Sequence, residues 1–347
     1  MKLLSSFVVG IVASLCLAAS VAGQGQAQLQ IRINEVLANN ASLADGGIVS
    51  DWVELYNPTA SAVSLTGATL SDGGDTPYVF RAGASIPAGG FLLMYCNSLT
   101  AASTTNTGFG LKASGGVVTL IASTGVEADS ISYGIQAADL SIGRVPNGTG
   151  AFVLNTPTPR MGNTSVPLDP PAGLRVNEWM ANDRNNRPDY FEIYNPGARP
   201  VSMAGLGLTD RSDRPGAAIL PALSFIGVGP LGAYALFYPD DNPAAGPNHL
   251  PFKLSDTQDS VFIFNGGTVI NSVTFGVQLP GVSQGRLPDG SANIVSFTFS
   301  PTPGAPNRDL GSVTNIVINE LLAHTDPPLE DAIEFRNVTG QPVNMKG

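Results

Sequence analysis

The chain has 347 residues, more than one ordinary core accommodates, so several domains or a repeat architecture are expected. Hydrophobic residues make up 43% and charged residues only 13%, with 40 Gly and 27 Pro, which describes a turn-rich globular protein. The formal net charge of −10 on a chain with only 17 basic residues excludes a phosphate-tracking basic stripe, so nucleic acid is not an expected partner; acidity favours solubility and cations.

Residues 1–23 carry a lysine at position 2, an apolar run, and small residues near Ala22 and Gly23, the pattern of a cleaved secretory signal. A lipoprotein reading would modify Cys16, but Leu15 is too large for the position before such a cysteine. No later apolar run reaches membrane-helix length, so no membrane span is expected after signal removal. Cys16 leaves with the signal and Cys96 stays alone, which excludes an intrachain disulfide. Cys96 follows the apolar run FLLMY and has no base beside it, so it is expected to be a small core residue.

From residue 31 the chain repeats itself. INEVLANN with DWVELYNP returns as VNEWMAND with DYFEIYNP, and again as INELLAHT with DAIEFRNV. Glu35, Glu178 and Glu320 stand at successive offsets of 143 and 142. VSLTG (63–67), LSDGGDTP (70–77), SIGRVPNG and NTPTPRMGN find counterparts in VSMAG (201–205), LTDRSDRP (208–215), SQGRLPDG and FSPTPGAPN. Between these motifs lie short apolar or alternating runs (GVVTLIA, DSISYG, AYALFY, SVFIF, SVTFG) separated by Gly, Pro, Asn and Asp, too short for helices and suited to strands.

The expected organisation is a linker at 24–30, a sandwich at 31–163, a linker at 164–173 with few contacts, a sandwich at 174–308, a linker at 309–315 and the start of a truncated third copy at 316–347. The fold class is all-β, with tandem immunoglobulin-like β-sandwich domains. The ordered motifs resemble the lamin tail domain family as it appears in exported bacterial proteins. The resemblance implies an immunoglobulin-like sandwich without catalytic residues of its own. It also implies an interaction module, or a module placed beside hydrolases, nucleases or kinase-like domains.

Strand parity puts Ile31, Ile33, Glu35 and Leu37 on one face, and likewise Leu174, Val176, Glu178 and Met180, so each glutamate falls on the apolar side. A buried carboxylate needs a partner. The basic residue that recurs is the arginine of SxGRxPxG, so Glu35 is expected to pair with Arg144 and Glu178 with Arg286; backbone N–H donors at a strand break are the alternative. The same parity sends Glu54 to the outer face with Trp52 and Tyr56, and Glu192 with Tyr190 and Tyr194. A glycosidase pair of Glu35 and Glu54 is disfavoured, because the separation of the two acids changes from 19 residues to 14 in the second copy.

Asp72 with Asp75, and Asp210 with Asp213, offer two oxygen ligands each for calcium, fewer than that ion requires, and Asp is also a good turn residue. His249 and His324 belong to no recurring constellation, and no HExxH, GxSxG or CxxC spacing occurs. A row of exposed rings from Trp52, Tyr56, Trp179, Tyr190 and Tyr194 would hold a glycan, although packed aromatics are commoner in a sandwich. The expected function is a non-catalytic secreted or cell-surface binding or scaffold array that contacts a protein or a surface glycan. An accessory region of a larger extracellular enzyme and a carbohydrate-binding module are the alternatives.

Overall fold

The structure, a computed structural model, describes residues 29–184, 187–298, 300–309, 316–324, 326–328, 330–340 and 343. The expected signal, 1–23, and most of the expected linker 309–315 lie outside the described residues.

The first sandwich has a six-stranded antiparallel sheet in the order Thr164–Ser165, Ala151–Thr156, Ser141–Val145, Arg32–Leu37, Asp51–Tyr56 and Phe91–Cys96. A four-stranded sheet (Glu127–Tyr133, Gly116–Ile121, Thr69–Ser71, Tyr78–Val79) packs on it. Ile33, Val53, Leu55, Met94 and Ile142 from the larger sheet meet Leu70, Val118, Leu120 and Ile131 from the smaller one in a single core. Their β-branched and leucine side chains alternate with residues of the other face, as a half-buried strand requires.

The second sandwich repeats this plan. Its six-stranded sheet runs Ile294–Phe297, Ser283–Arg286, Arg175–Met180, Tyr190–Tyr194, Tyr234–Pro239 and His249–Leu250. Its four-stranded sheet is Ala218–Ile219, Leu206–Thr209, Asp259–Asn265 and Thr268–Phe275. Val176, Phe191, Ile193 and Phe237 meet Leu206, Leu208, Val261 and Ile263 in a core of their own. A further hairpin joins Ile316–Leu322 to Ala332–Asn337. The one α-helix among the described residues is the single turn Gly229–Gly232, so the all-β expectation holds.

The expected parity of Asp51–Tyr56 holds, with Val53 and Leu55 in the main core and Trp52 on the other face, but that of Arg32–Leu37 does not survive. Ile33 pairs with Leu55, but the next matched pair is Glu35 with Glu54, so Asn34 is an extra residue, a β-bulge. A bulge inserts one residue on one strand and reverses every later side chain. Ile33 and Val36 therefore face the main core, while Glu35 and Leu37 turn to the opposite face with Glu54, Trp52 and Leu93. The same shift occurs between Val176 and Glu178, and between Ile318 and Glu320.

The segment 164–173 also makes more contacts than its composition suggests. Thr164–Ser165 extends the first sandwich by pairing with Ala151–Thr156, and Asp169 N–H donates to Pro200 O at 2.9 Å in the second. An extended Pro-rich chain keeps its other main-chain donors, and here neighbouring main chain accepts them.

Candidate functional site

The bulge brings four recurring motifs to one point on the outer face of the first six-stranded sheet. Asn34, the bulged residue, donates its side-chain amide to Glu54 Oε1 at 3.4 Å, and its Oδ1 accepts Gly148 N–H at 2.9 Å. Glu35 Oε1 accepts Ser141 Oγ–H at 2.5 Å and Thr158 N–H at 3.1 Å, and its Oε2 accepts the Thr158 hydroxyl at 3.1 Å. Glu54 Oε2 accepts Arg160 N–H at 2.5 Å. Asn163 completes the knot by donating to Asn34 O at 2.9 Å and Arg144 O at 3.0 Å. The segment 156–163, TPTPRMGN, thus lies as a strap over the two glutamates. Its prolines leave few N–H groups, and those at Thr158 and Arg160 are spent on the carboxylates.

The second sandwich builds the same knot with altered parts. Asn177 donates to Glu192 Oε1 at 3.0 Å and accepts Gly290 N–H at 2.9 Å. Thr302 gives its N–H to Glu178 Oε1 at 3.0 Å and its hydroxyl to Oε2 at 2.9 Å, while Gly304 N–H reaches Glu192 Oε2 at 2.6 Å. Asn307 donates to Asn177 O at 3.3 Å and Arg286 O at 2.9 Å. Where the first sandwich uses Ser141, the second uses Tyr190, whose hydroxyl donates to Glu178 at 2.7 Å. In the third hairpin Glu320 stands opposite Glu334, and Asn319 donates to Glu334.

All four acids of the two sandwiches are 0% exposed. Burial, opposed by the Arg160 N–H and reinforced by the neighbouring Glu35, raises Glu54 to about 8; burial likewise raises Glu35. Glu192 is pushed well above the usual carboxylate range by burial first, with Glu178 and Asp289 adding repulsion. Raised carboxyl pairs are a recurrent property of acid–base catalysts. A glycosidase pair, however, flanks an open cleft. Here the strap occupies that space and its donors are satisfied by the acids, so the pair can bind main chain and hold a proton but has no room for a substrate.

The expected ion pairs do not form. Arg144 instead donates to Asp129 (3.0 Å), Ile33 O (3.0 Å) and Gly150 O (3.0 Å). Arg286 donates to Val176 O at 2.7 Å and Ser291 O at 2.6 Å, and no carboxylate stands within ion-pair range of it among the described residues. Both guanidinium groups serve the carbonyl of the residue before the bulge, Ile33 or Val176, because the bulge turns the glutamate away from them. Desolvation, and then the charge of Arg175, hold Arg286 below its ordinary value.

The other candidates disperse. Asp72 Oδ1 accepts Gly74 N–H at 3.0 Å, closing its own turn, and Asp75 is exposed; both line an open cavity of about 540 Å³. Asp210 accepts the Thr209 hydroxyl at 3.3 Å, and Asp213 is paired with Arg211 at 3.0 Å, which removes the charge calcium would use. The described residues hold no group of three or more His, Cys, Asp or Glu able to share an ion. His249 pairs with Asp240 at 2.7 Å and stacks on Tyr238, beside a cavity of about 600 Å³ that Met180, Tyr190, Leu236, Pro301 and Pro303 also line. His324 lies apart on the third hairpin.

Trp52, Trp179 and Tyr190 are buried, Tyr56 packs at a tilt on Phe91 and Tyr194 stacks on Tyr234, so no flat row of rings forms. Cys96 is buried, and burial pushes its thiol far up.

Sequence reasoning missed Asn34, Thr158, Asn163 and their counterparts. The signal was the recurrence of Asn before each first-strand glutamate and of PTPxxxN after SxGRxPxG.

Two packed, mostly antiparallel sheets around one core, with a strap held by the glutamates of the larger sheet, define an immunoglobulin-like sandwich. Residues 24–134 match the family model described as the Lamin Tail Domain, so the resemblance drawn from the motifs holds over that segment. No curated protein matches the chain. No helix among the described residues is long and apolar enough to cross a membrane.

Proposed function

We propose that the chain is an exported, secreted or cell-surface scaffold or binding array of tandem lamin-tail-like sandwiches of the bacterial exported type. In this reading the sandwiches span 31–163 and 174–308 and a third begins at 316, with a signal removed near Ala22 or Gly23. Contacts to a protein or surface glycan would come from loops and sheet edges carried on rigid cores.

The observation that carries the non-catalytic reading is the state of the acids. Glu35, Glu54, Glu178 and Glu192 are 0% exposed and engaged by strap donors in both sandwiches. Function then lies on the surface rather than in these acids. The test is a panel of glycoside, phosphoester and peptide substrates offered to the full chain and to its Glu35→Gln and Glu178→Gln variants. The array reading expects no turnover by any of them and lowered thermal stability in the variants; turnover that either substitution abolishes would overturn it.

A further inference from the structure

Among the contacts between the two sandwiches, one provides a template. Phe225 N–H donates to Ile135 O at 2.7 Å, and Gln136 Nε2 donates to Leu223 O at 2.6 Å. Ile135 packs against the second core, while Phe225 and Leu223 pack against the first. A Cβ on Gly134 would fall 2.0 Å from Ser224 Oγ, so the missing side chain makes the seat for Ser224. The first sandwich thus contributes a Gly-Ile-Gln-Ala loop, and the second an apolar–small–apolar edge, Leu223-Ser224-Phe225.

Each sandwich carries the equivalent of both halves. Ser202 pairs with Phe225 as Ser64 pairs with Ser85, so the edge of the first sandwich reads Gly83-Ala84-Ser85 and lacks the apolar side chains. The loop of the second reads Gly276-Val277-Gln278-Leu279, following Phe275 as Gly134 follows Tyr133. There Val277 is 72% exposed and Leu279 66% exposed, and a Cβ on Gly276 would meet nothing within 4 Å. Gln278 is turned inward, accepting Ala181 N–H at 2.6 Å, so the surface is formed by the two apolar side chains and the open glycine.

We infer that residues 276–279 are a docking surface for a further sandwich of the same kind, one that presents an apolar–small–apolar edge strand like Leu223-Ser224-Phe225. The inference rests on the array reading and deepens it, since it makes the joint between sandwiches a specific, directional contact. A second copy of this chain does not supply the edge, because its own Leu223–Phe225 edge is covered by its own first sandwich and its Gly83–Ser85 edge is not apolar. Burying two apolar side chains that now face water is the driving force.

The test uses the full chain, isotope-labelled for NMR, and the synthetic peptide Leu-Pro-Ala-Leu-Ser-Phe-Ile-Gly-Val, the sequence of residues 220–228. Saturable shifts at residues 276–279 are expected, weakened at least about tenfold by Val277→Asp with Leu279→Asp and by a peptide carrying aspartate at the positions of Leu223 and Phe225. Both chain positions are exposed, and an unchanged melting temperature confirms that the variant is folded. No shift at about 1 mM peptide, or equal binding of the aspartate peptide, would overturn the inference. So would self-association of the chain abolished by the same substitutions, which would make a second copy the occupant. Substrate turnover would instead undermine the array reading and leave peptide binding untouched.

Discussion

Glu35 and Glu54 stand opposite each other on neighbouring antiparallel strands, both 0% exposed, because the bulge at Asn34 turns them to the same face. Two carboxyls so placed cannot both ionise cheaply in a site closed to water. Glu54, raised to about 8 from an ordinary 4.5, binds its proton more tightly in the folded state than in the unfolded. Its contribution to stability is therefore fully present below about pH 4.5 and is lost as pH rises through about 8. Replacement by Gln removes that titration. Between pH 5 and pH 8.5, Glu54→Gln should gain on the wild type by at least about 1.4 kcal/mol, one pKa unit, in denaturant unfolding.

Arg144 and Arg286 do the same work on the carbonyl before the bulge, Ile33 O and Val176 O, but they are not equally neutralised. Asp129 accepts Ile33 N–H at 2.9 Å and also pairs with Arg144; in the second sandwich Asn271 accepts Val176 N–H at 2.8 Å. Asn271→Asp should supply the missing counter-charge and raise stability by about 1 kcal/mol, while Asp129→Asn should cost about 1–3 kcal/mol by leaving a half-buried guanidinium unpaired. Thermal unfolding of the two variants, side by side, checks both signs.

Asn307 is nearly buried, donates to two main-chain carbonyls and accepts the Thr302 hydroxyl at 3.0 Å. Asn307→Ala leaves those acceptors without donors and frees the strap, at an expected cost of about 2–4 kcal/mol. Circular dichroism melting measures the loss.

Cys96 is 3% exposed and burial raises its thiol, so the thiolate that reacts is scarce and enclosed. A native chain lacking residues 1–23, and so Cys16, should resist a thiol reagent and become reactive on unfolding in guanidinium chloride.

The strands were legible because their alternation survives locally: DWVELY, FLLMYC and SVFIF all fall within strands. The side on which Glu35 lies was not legible, because alternation assumes that no residue is inserted, and Asn34 is inserted. Nor could the partner of Glu35 be read from charge. The strap engages it with one main-chain N–H and one hydroxyl, both of Thr158, which carry no charge to find in a sequence. The arginine of SxGRxPxG was correctly singled out as recurring, but its target is a carbonyl, Ile33 O, rather than a carboxylate. Trp52 lies on the face that parity assigns it, but Leu37, Leu93 and Tyr95 enclose it there, so it offers no exposed ring.

The central claim is that the glutamate pairs are anchors for the strap. Native-state hydrogen exchange of the Thr158, Arg160, Thr302 and Gly304 amides tests it most directly, since these N–H groups lie outside any strand and have the glutamates as acceptors. Protection comparable to that of the neighbouring strands, lost for Thr158 and Arg160 in a Glu35→Ala, Glu54→Ala variant while the second sandwich stays protected, is the predicted result. Exchange of all four amides at unprotected rates in the wild type would contradict it.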